Sequence, residues 1–322
     1  MPLLDVQGLT TYYQIRRGSV KATEDASFQV EKGQALGLAG ESGCGKTTIA
    51  LSLLRILPHG GKIIKGKIIF DGKNILDFSE TQMRDQIRWK GISLIFQGAM
   101  NALNPVYKIG DQVVEAIKLH EPKVLRKDAK DRTRKLFELT GIDPSRVDNY
   151  PHEFSGGMRQ RALISMALAC NPKLLIADEP GTALDVIVQA QILKLLKDLK
   201  DKLGISIIMI THDLSMITET CERLAIMYAG NIVEYGDITS IFKKPLHPYT
   251  QGLIEAFPSI ASEKQQLTSI PGSPPNLLNP PSACRFHPRC KYAMDICKKQ
   301  KPELEEISKN HFAACHLVGG QK

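Results

Sequence analysis

The stretch Gly40-Glu-Ser-Gly-Cys-Gly-Lys-Thr-Thr48 constrains the fold of this chain of 322 residues more than any other part of it. It fits the pattern G-x-x-x-x-G-K-[ST], in which glycines let the backbone turn its amides toward phosphate groups. The apolar run 35–39 predicts a buried strand before the loop, and residues 47–57 predict a helix after it. This strand–loop–helix context favours phosphate binding over a chance match to the pattern.

The loop supplies specific groups for a nucleotide and for a magnesium ion. Lys46 can reach the β- and γ-phosphates, and the Thr47 hydroxyl can ligate Mg²⁺. The other loop residues expected to contact the phosphates are Gly40, Ser42, Gly43, Gly45 and Thr48. Further upstream, Tyr13 and its neighbour Tyr12 are both placed so that one of them can stack on the base, although either can instead pack on the core.

Polar residues follow the predicted buried strands further along the chain. Gln97 ends the strand at 92–96, Asp178-Glu179 ends the strand at 174–178, and His212 follows the strand at 205–211. Strands that alternate with helices predict a mostly parallel α/β core, and such cores bind ligands at the carboxyl ends of their strands. We therefore expect these polar side chains to lie at one edge of the sheet.

The acidic pair Asp178-Glu179 carries the expected chemistry. Asp178 at the strand end can hold Mg²⁺ through water, and Glu179 can polarise a water molecule for attack on the γ-phosphate. The alternative is that the pair only caps the turn at Pro180-Gly181. The phosphate loop upstream favours the catalytic interpretation.

A second anion site is predicted at Ser155-Gly156-Gly157, which opens a helix that runs through Ala169. Ser155 is a good N-cap, and the two glycines leave backbone amides uncovered at the helix N-terminus. A cap alone would not need the pair of glycines.

Composition and charge place the chain among soluble globular proteins. Hydrophobic residues make up 43% and charged residues 24% of the sequence, and the formal net charge is +8. The basic residues are interleaved with acidic ones, as in 194–202, which argues against a nucleic-acid surface. No apolar run approaches the ~18 residues of a membrane span, and the N-terminus lacks the layout of a signal peptide. These features predict a cytosolic chain that can dock on a membrane protein.

Taken in order, these motifs resemble the ATP-binding subunit of an ABC transporter. The phosphate loop, Gln97, the Ser155-Gly-Gly-Met-Arg-Gln signature, Asp178-Glu179, Ala183-Leu-Asp185 and His212 follow the family's order over about the first 235 residues. The resemblance implies an α/β fold with a RecA-like, mostly parallel core and an antiparallel β subdomain. It also implies a helical subdomain at about 99–160 that meets membrane subunits.

The same resemblance implies how the residues divide the work. Two ATP molecules would lie in a head-to-tail dimer, each between one subunit's phosphate loop and the other's Ser155-Gly-Gly157. Gln97 would ligate Mg²⁺, Asp185 would couple the two sites, and His212 would contact the γ-phosphate. By its position Tyr13 resembles the family's adenine-stacking aromatic. Gly181 departs from the Thr or Ser of many relatives, and we expect a looser loop without loss of activity.

The C-terminal segment 236–322 narrows the resemblance. Residues 245–250, 270–275 and 284–290 resemble the ATPases of dipeptide, oligopeptide and nickel importers. This implies a peripheral protein at the cytoplasmic face of the membrane, with two transmembrane permease subunits and a second ATPase subunit. A heterodimer is favoured, a homodimer is the alternative, and an extracytoplasmic solute-binding protein would act indirectly. The competing functions are a nickel importer and a soluble ABC ATPase that acts on nucleic acid or ribosomes.

Four cysteines lie in this extension, at Cys284, Cys290, Cys297 and Cys315, with the spacing C-x5-C-x6-C-x17-C. Disulfides are disfavoured in a reducing cytosol, and zinc sites usually show tighter cysteine pairs. Four thiolates in a loop-rich segment also suit a cubane iron–sulfur cluster. Relatives in the resembling subfamily carry a [4Fe-4S] cluster there, which favours the cluster over zinc or an empty site. His287, His311 and His316 are weaker candidate ligands, and a metal-sensing role for the extension is a further alternative.

Overall fold

A computed structural model describes residues 1–98, 102–256 and 270–318 of the chain. These residues form two compact units. The first unit comprises Met1–Glu31, Leu36–Leu76 and Ile210–Lys322, and the second comprises Lys32–Ala35 and Asp77–Met209.

The strands follow one another along the chain as β1 (Leu4–Ile15), β2 (Gly18–Val30), β3 (Ala35–Ala39), β4 (Gly61–Phe70), β5 (Lys73–Asn74), β6 (Ile92–Ile95), β7 (Leu174–Asp178), β8 (Ser206–Ile210), β9 (Arg223–Tyr228), β10 (Asn231–Asp237), β11 (Glu305–Ser308) and β12 (His311–Ala313). The α-helices are α1 (Lys46–Leu54), α2 (Glu80–Gln82), α3 (Ile109–His120), α4 (Arg126–Leu139), α5 (Gly156–Ala167), α6 (Val186–Leu203), α7 (Leu214–Thr220), α8 (Ile238–Lys243), α9 (Pro248–Glu255) and α10 (Asp295–Lys299). Short 3-10 or π turns lie at 75–77, 83–87, 144–148, 151–153 and 287–289.

The first unit contains an antiparallel sheet with the strand order β2-β1-β4-β5. The apolar segments 3–9 and 26–30 predict strands of an antiparallel sheet, and this prediction is confirmed, but both strands are much longer than those segments. Residues 10–15 and 18–25 extend them with polar, partly exposed side chains. Such residues give no apolar signal because this part of the hairpin is not buried on both faces.

The same unit contains part of a second sheet, in which the strands follow the order β11-β12-β10-β9-β3. β3 pairs with β9 in parallel, whereas β9, β10, β12 and β11 pair in antiparallel fashion. The strands of the C-terminal extension thus continue the sheet that begins at β3. This arrangement positions the extension on the unit that holds the phosphate loop.

Parallel strands β6 and β7 lie in the second unit, with β8 next to β7. Every residue of β7 and β8 is buried, as the apolar runs 174–178 and 205–211 predict. The strand predicted at 92–96 ends one residue earlier, since Phe96 lies outside β6 and is exposed. The parallel α/β pattern is therefore confirmed here.

The bounds of α1 and α4 differ from the sequence-based expectation. The helix after the phosphate loop ends at Leu54 rather than Leu57, because Arg55 adopts a left-handed conformation (φ 53°) that terminates it. The charge-rich segment 121–131 predicts a surface connection, but helix α4 begins within it, at Arg126. Its charged residues face outward, while Ala129, Thr133, Leu136 and Phe137 form its buried side.

The predicted start of the helical subdomain, at residue 99, lies outside the described residues. Within the three described ranges, no helix combines the length and the apolarity that crossing a membrane requires.

Candidate functional site

The phosphate loop lies between fully buried β3 and helix α1, as the sequence predicts. Gly45 is the N-cap of α1 and has a φ of +109°. A Cβ atom at this position would lie 2.2 Å from the Ala22 carbonyl oxygen. Only glycine therefore allows the loop to enter the helix here without moving β2.

Lys46 is enclosed by its own loop. Its side-chain ammonium donates to the carbonyl oxygens of Gly40 (2.7 Å) and Glu41 (3.1 Å), and the residue is only 7% exposed. Ser42, Gly43 and Thr47 are exposed, and Thr48 is buried. The loop thus presents a fixed positive charge together with accessible backbone and hydroxyl groups.

Tyr12 and Tyr13 have different surroundings. The Tyr13 hydroxyl lies 3.5 Å from the Thr48 hydroxyl, at the first turn of α1. The Tyr12 hydroxyl donates to Glu24 (3.4 Å), and burial together with the charge of Glu24 raises the pKa of Tyr12. Tyr13 is therefore the tyrosine that contacts the phosphate-loop region, and Tyr12 supports the β1–β2 hairpin.

His212 belongs to the first unit and follows β8. Its side chain is exposed, and the next residue, Asp213, is the N-cap of α7 through a bond from the Ser215 amide (2.8 Å). The cap fixes the backbone at the point where the imidazole leaves the strand.

In the second unit, Gln97 and Glu179 are brought together. The Glu179 carboxylate accepts hydrogen bonds from the Gln97 amide and from the Thr182 hydroxyl, both at 2.9 Å. Glu179 has a φ of +48°, a left-handed conformation that is uncommon for a residue other than glycine. Such backbone strain is characteristic of functional sites.

Asp178 ends β7 and is only 2% exposed. Three residues further on, Gly181 accepts at its carbonyl from the Gln189 side chain (2.9 Å) and from the Leu184 amide (3.2 Å). The loop has defined contacts at this glycine, and the expectation that Gly181 loosens it stays a prediction.

The Ser155-Gly-Gly157 segment opens α5 as predicted, although the helix ends at Ala167 rather than Ala169. The exposed Ser155 accepts a bond from the Met158 amide (3.3 Å) and is therefore a genuine N-cap. A Cβ on Gly157 would lie 2.7 Å from a methyl group of Val188. Packing therefore requires a glycine at position 157, because α5 approaches α6 closely there.

The predicted residues are divided between the two units. The first unit holds Tyr13, the phosphate loop and His212. The second unit holds Gln97, Ser155, Asp178 and Glu179, together with Asp185, which is the N-cap of α6 through the Val188 amide.

Sequence reasoning missed the surroundings of Glu41, the second residue of the phosphate loop. Its carboxylate is held by Arg289, and its amide donates to the Tyr249 hydroxyl (3.0 Å). Hydrogen bonding to Glu41 raises the pKa of Arg289 above its usual range. No sequence pattern connects residues more than 200 positions apart, so only the fold reveals these contacts.

The four cysteines of the extension influence one another electrostatically. Burial raises the pKa of Cys315 to about 11, and the other three thiols raise it as neighbouring negative groups. Burial also raises the pKa of Cys284 and of Cys290. The Cys284 amide donates to the Cys297 carbonyl (3.1 Å). Among the described residues, however, no three His, Cys, Asp or Glu side chains are grouped closely enough to hold a metal ion, so neither the expected [4Fe-4S] cluster nor the zinc alternative gains support.

Comparisons with protein families agree with the motifs. The family model described as "ABC transporter" matches residues 23–182. The model described as "Oligopeptide/dipeptide transporter, C-terminal region" matches residues 233–297. The chain is similar to the "Probable peptide ABC transporter ATP-binding protein y4tR" of Sinorhizobium fredii, with 47% identity over 97% of this chain and 94% of the relative. It is also similar to the "Oligopeptide transport ATP-binding protein OppD" of Bacillus subtilis (46% identity, 98% and 89%) and the "Dipeptide transport ATP-binding protein DppD" of Escherichia coli (41% identity, 98% and 97%).

Solved structures give the same fold. The dimeric bacterial ABC transporter cassette MJ0796 superposes with a TM-score of 0.64 at 23% identity, over 73% of this chain and 98% of that one. The cbiO1 protein of Clostridium perfringens, part of the ABC transporter complex cbiONQ, superposes with a TM-score of 0.65 at 28% identity, over 76% and 91%. The expected ABC ATPase fold is confirmed. The motifs, the fold and relatives aligned over nearly the full length show that this chain belongs to the ABC transporter family, as one of its ATPases.

Proposed function

We propose that this chain hydrolyses ATP to power the import of dipeptides or oligopeptides through a membrane permease. The observation that carries the proposal is the phosphate loop with its enclosed Lys46, in a chain whose relatives at 40–47% identity are named peptide, dipeptide or oligopeptide transport proteins. The C-terminal match to oligopeptide and dipeptide transporters favours peptides over nickel. It likewise disfavours a soluble ATPase that acts on nucleic acid.

The residues of the two units suggest the chemical roles. Lys46 and the loop amides bind the β- and γ-phosphates, and Tyr13 stacks on the base. Thr47, Gln97 and Asp178 would hold Mg²⁺, which neutralises phosphate charge when it is bound. A hydroxyl and two side chains with oxygen atoms suit this hard cation.

Glu179 is the proposed general base for the attacking water. Its carboxylate accepts hydrogen bonds from the Gln97 amide and from the Thr182 hydroxyl, and these bonds orient it. A carboxylate held in this way can take the proton of a water molecule. His212, exposed at the end of β8, contacts the γ-phosphate.

We propose that each ATP is completed by a second subunit, which contributes Ser155-Gly-Gly157 through the amides at the start of α5. Beside the Asp185 cap, Val186 and Ile187 are 79% and 73% exposed. Apolar side chains exposed next to each other support an interface at this end of α6. The partner is a second, related ATPase or another copy of this chain, with the heterodimer favoured.

The proposed cassette spans 1–235, with the helical subdomain at about 99–160, and the extension spans 236–322. The helical subdomain would dock on two transmembrane permease subunits at the cytoplasmic face of the membrane, where a solute-binding protein acts indirectly from the other side. Val106, Tyr107 and Leu125 are all more than half exposed and support a docking surface.

We also propose a [4Fe-4S] cluster on Cys284, Cys290, Cys297 and Cys315. The proposal is supported by the placement of all four thiols in one loop-rich segment, where burial and the charges of the other three raise the pKa of Cys315. When bound, the cluster would cross-link the parts of the segment that carry the four cysteines. Iron and sulfide analysis after anaerobic purification tests this, and an iron-free protein would contradict it.

The catalytic assignment is tested by Glu179→Gln. The amide cannot accept a proton, so we expect ATP hydrolysis to fall by roughly 10²–10⁴-fold while ATP binding is retained. The exposed Glu138→Gln, in the same unit, is the matched control and should hydrolyse ATP at the wild-type rate. A Glu179→Gln variant with wild-type turnover would remove Glu179 from the mechanism.

A further inference from the structure

We propose that Arg289, in the C-terminal extension, is a positioning residue of the ATP site that neutralises and orients Glu41 of the phosphate loop. The inference rests on the proposed role of that loop in binding ATP. It adds a function for the extension, which would set the affinity for ATP.

The contact between Arg289 and Glu41 is a two-pronged ion pair. Nη1 of Arg289 donates to Oε2 of Glu41 at 2.7 Å, and Nη2 donates to Oε1 at 3.0 Å. The arginine side chain is only 6% exposed, and that of the glutamate is 25% exposed. Two parallel hydrogen bonds hold the guanidinium and the carboxylate in one orientation as well as pairing their charges. A flexible ion pair on the surface has no such fixed orientation.

Arg289 is itself held in place from behind. Its Nε donates to the Pro271 carbonyl (2.8 Å), Nη2 donates to the Ile270 carbonyl (3.3 Å), and the guanidinium carbon lies 5.7 Å from the centre of the Tyr228 ring. Carbonyl acceptors and an aromatic face orient the cation without cancelling its charge. The positive charge is therefore directed at Glu41.

Glu41 connects three parts of the site. Its carboxylate binds Arg289, its amide donates to the Tyr249 hydroxyl (3.0 Å), and its carbonyl accepts from the Lys46 ammonium (3.1 Å). Two of these three partners, Arg289 and Tyr249, come from the extension. Glu41, which together with Gly40 accepts hydrogen bonds from Lys46, is thus itself held by the extension.

Electrostatics explains why this contact matters for a nucleotide. A carboxylate in a loop that binds polyphosphate repels the ligand and competes for the charge of Lys46. Pairing with Arg289 cancels that charge and directs it away from Lys46. Without Arg289, a partly buried carboxylate would be left uncompensated within the phosphate loop.

Arg285, in the same loop of the extension, provides a matched comparison. Its side chain is 5% exposed and makes an ion pair with Glu24 on β2, and it also donates to the Ala229 carbonyl. It does not touch Glu41 among its described contacts. Loss of Arg285 removes an equally buried cation without changing the charge of the phosphate loop.

The test measures the dissociation constant of Mg²⁺-ATP and the melting temperature of the full chain in five variants: Arg289→Gln, Arg289→Lys, Arg285→Gln, Glu41→Gln and the double variant Glu41→Gln/Arg289→Gln. We expect Arg289→Gln to raise the Kd roughly tenfold, and Arg289→Lys to raise it less because it keeps the charge but loses the fork. Removing the carboxylate should rescue binding, so the double variant should return to within about twofold of Glu41→Gln. Arg285→Gln should lower the melting temperature with little change in Kd.

Three results would overturn the inference: an unchanged Kd in Arg289→Gln, a double variant as weak as Arg289→Gln, or an equal loss of affinity in Arg285→Gln. If Arg289→Gln does not fold, Arg289→Lys and its combination with Glu41→Gln are read in the same way. A Lys46→Ala variant tests the role of the phosphate loop separately from the role of Arg289. If it binds ATP like the wild type, the phosphate loop itself is misassigned, whereas a failure of Arg289→Gln alone leaves the loop in place.

Discussion

At the scale of single residues, two adjacent tyrosines illustrate how the structure separates binding from support. The sequence places both Tyr12 and Tyr13 for stacking on a base, and the family resemblance favours Tyr13, with Tyr12 as its rival. The structure distinguishes them, because Tyr13 lies beside Thr48 at the start of α1, whereas Tyr12 is tied to Glu24. Neighbouring residues on a strand point to opposite faces, so only one of the two can face the loop.

This difference predicts opposite effects of truncating the two rings. Tyr13→Ala should weaken ATP binding by about 1–3 kcal/mol, the usual contribution of a stacked aromatic, while Tyr13→Phe should bind normally. Tyr12→Ala should leave the Kd for ATP unchanged and lower the melting temperature instead. Fluorescent-nucleotide titration and thermal unfolding of the three variants measure this. Weaker binding in Tyr12→Ala than in Tyr13→Ala would reverse the assignment.

At the scale of elements, the sequence was most informative where a cap or an unbroken apolar run marks a boundary. Helix α6 begins after its cap Asp185 and ends before Gly204, and β7 coincides with the apolar run 174–178. It was least informative for polar elements. The outer halves of β1 and β2 and the start of α4 are partly exposed, so no hydrophobic periodicity marks them.

The attachment of the extension to β10 is another element-scale feature with no sequence signal. Glu234 on β10 is fully buried, pairs with His311 on β12 (2.7 Å), and accepts from the amides of Leu246 and His247. His247 in turn caps α9, because its Nδ1 accepts from the Tyr249 amide (3.0 Å). A buried carboxylate thus joins β10, β12 and the start of α9.

His247 makes the stability of this attachment depend on pH. Burial lowers the pKa of His247 to about 4, although the charge of Glu234 opposes the shift. The unfolded imidazole titrates near ~6.5, so below that pH the unfolded state binds more protons than the folded state. The contribution of the buried, neutral His247 to the free energy of unfolding is complete above about pH 6.5. It declines, by at most about 1.4 kcal/mol per pH unit, as the pH falls toward about 4.

Urea unfolding at about pH 7.5 and about pH 5 measures this effect in the wild type and in His247→Asn, whose side-chain oxygen can still cap α9. The wild type should lose more free energy of unfolding than His247→Asn between the two pH values. Parallel losses in the two proteins would show that His247 does not titrate in this way.

At the scale of the whole molecule, the functional contacts join residues that are far apart in the chain. Arg289 and Glu41 are 248 positions apart, and Tyr249 and Glu41 are 208 apart. The motifs identify the candidate ATP-binding residues because each motif is local and its spacing reflects one loop or one strand end. They did not predict how the extension reaches the phosphate loop, because that contact depends on the packing of segments without a shared pattern.

The dimer proposed for this molecule predicts that binding and hydrolysis respond differently to Ser155→Asp. Aspartate caps a helix as well as serine does, so the bond from the Met158 amide and the fold should be retained. Its negative charge, however, would face the γ-phosphate bound by the other subunit. We expect the Kd for ATP to be unchanged and the rate of hydrolysis to fall at least about tenfold.

Ser155→Thr, which keeps a neutral capping hydroxyl, is the matched control and should hydrolyse ATP faster than Ser155→Asp. If two subunits complete each site, as proposed, the wild-type rate per mole should also rise with protein concentration, or on addition of a second ATPase subunit, while the Kd for ATP stays constant. If Ser155→Asp lowered ATP affinity in dilute protein as much as it lowered hydrolysis, Ser155 would act on the ATP of its own subunit. The phosphate loop would then not need a partner to complete its site.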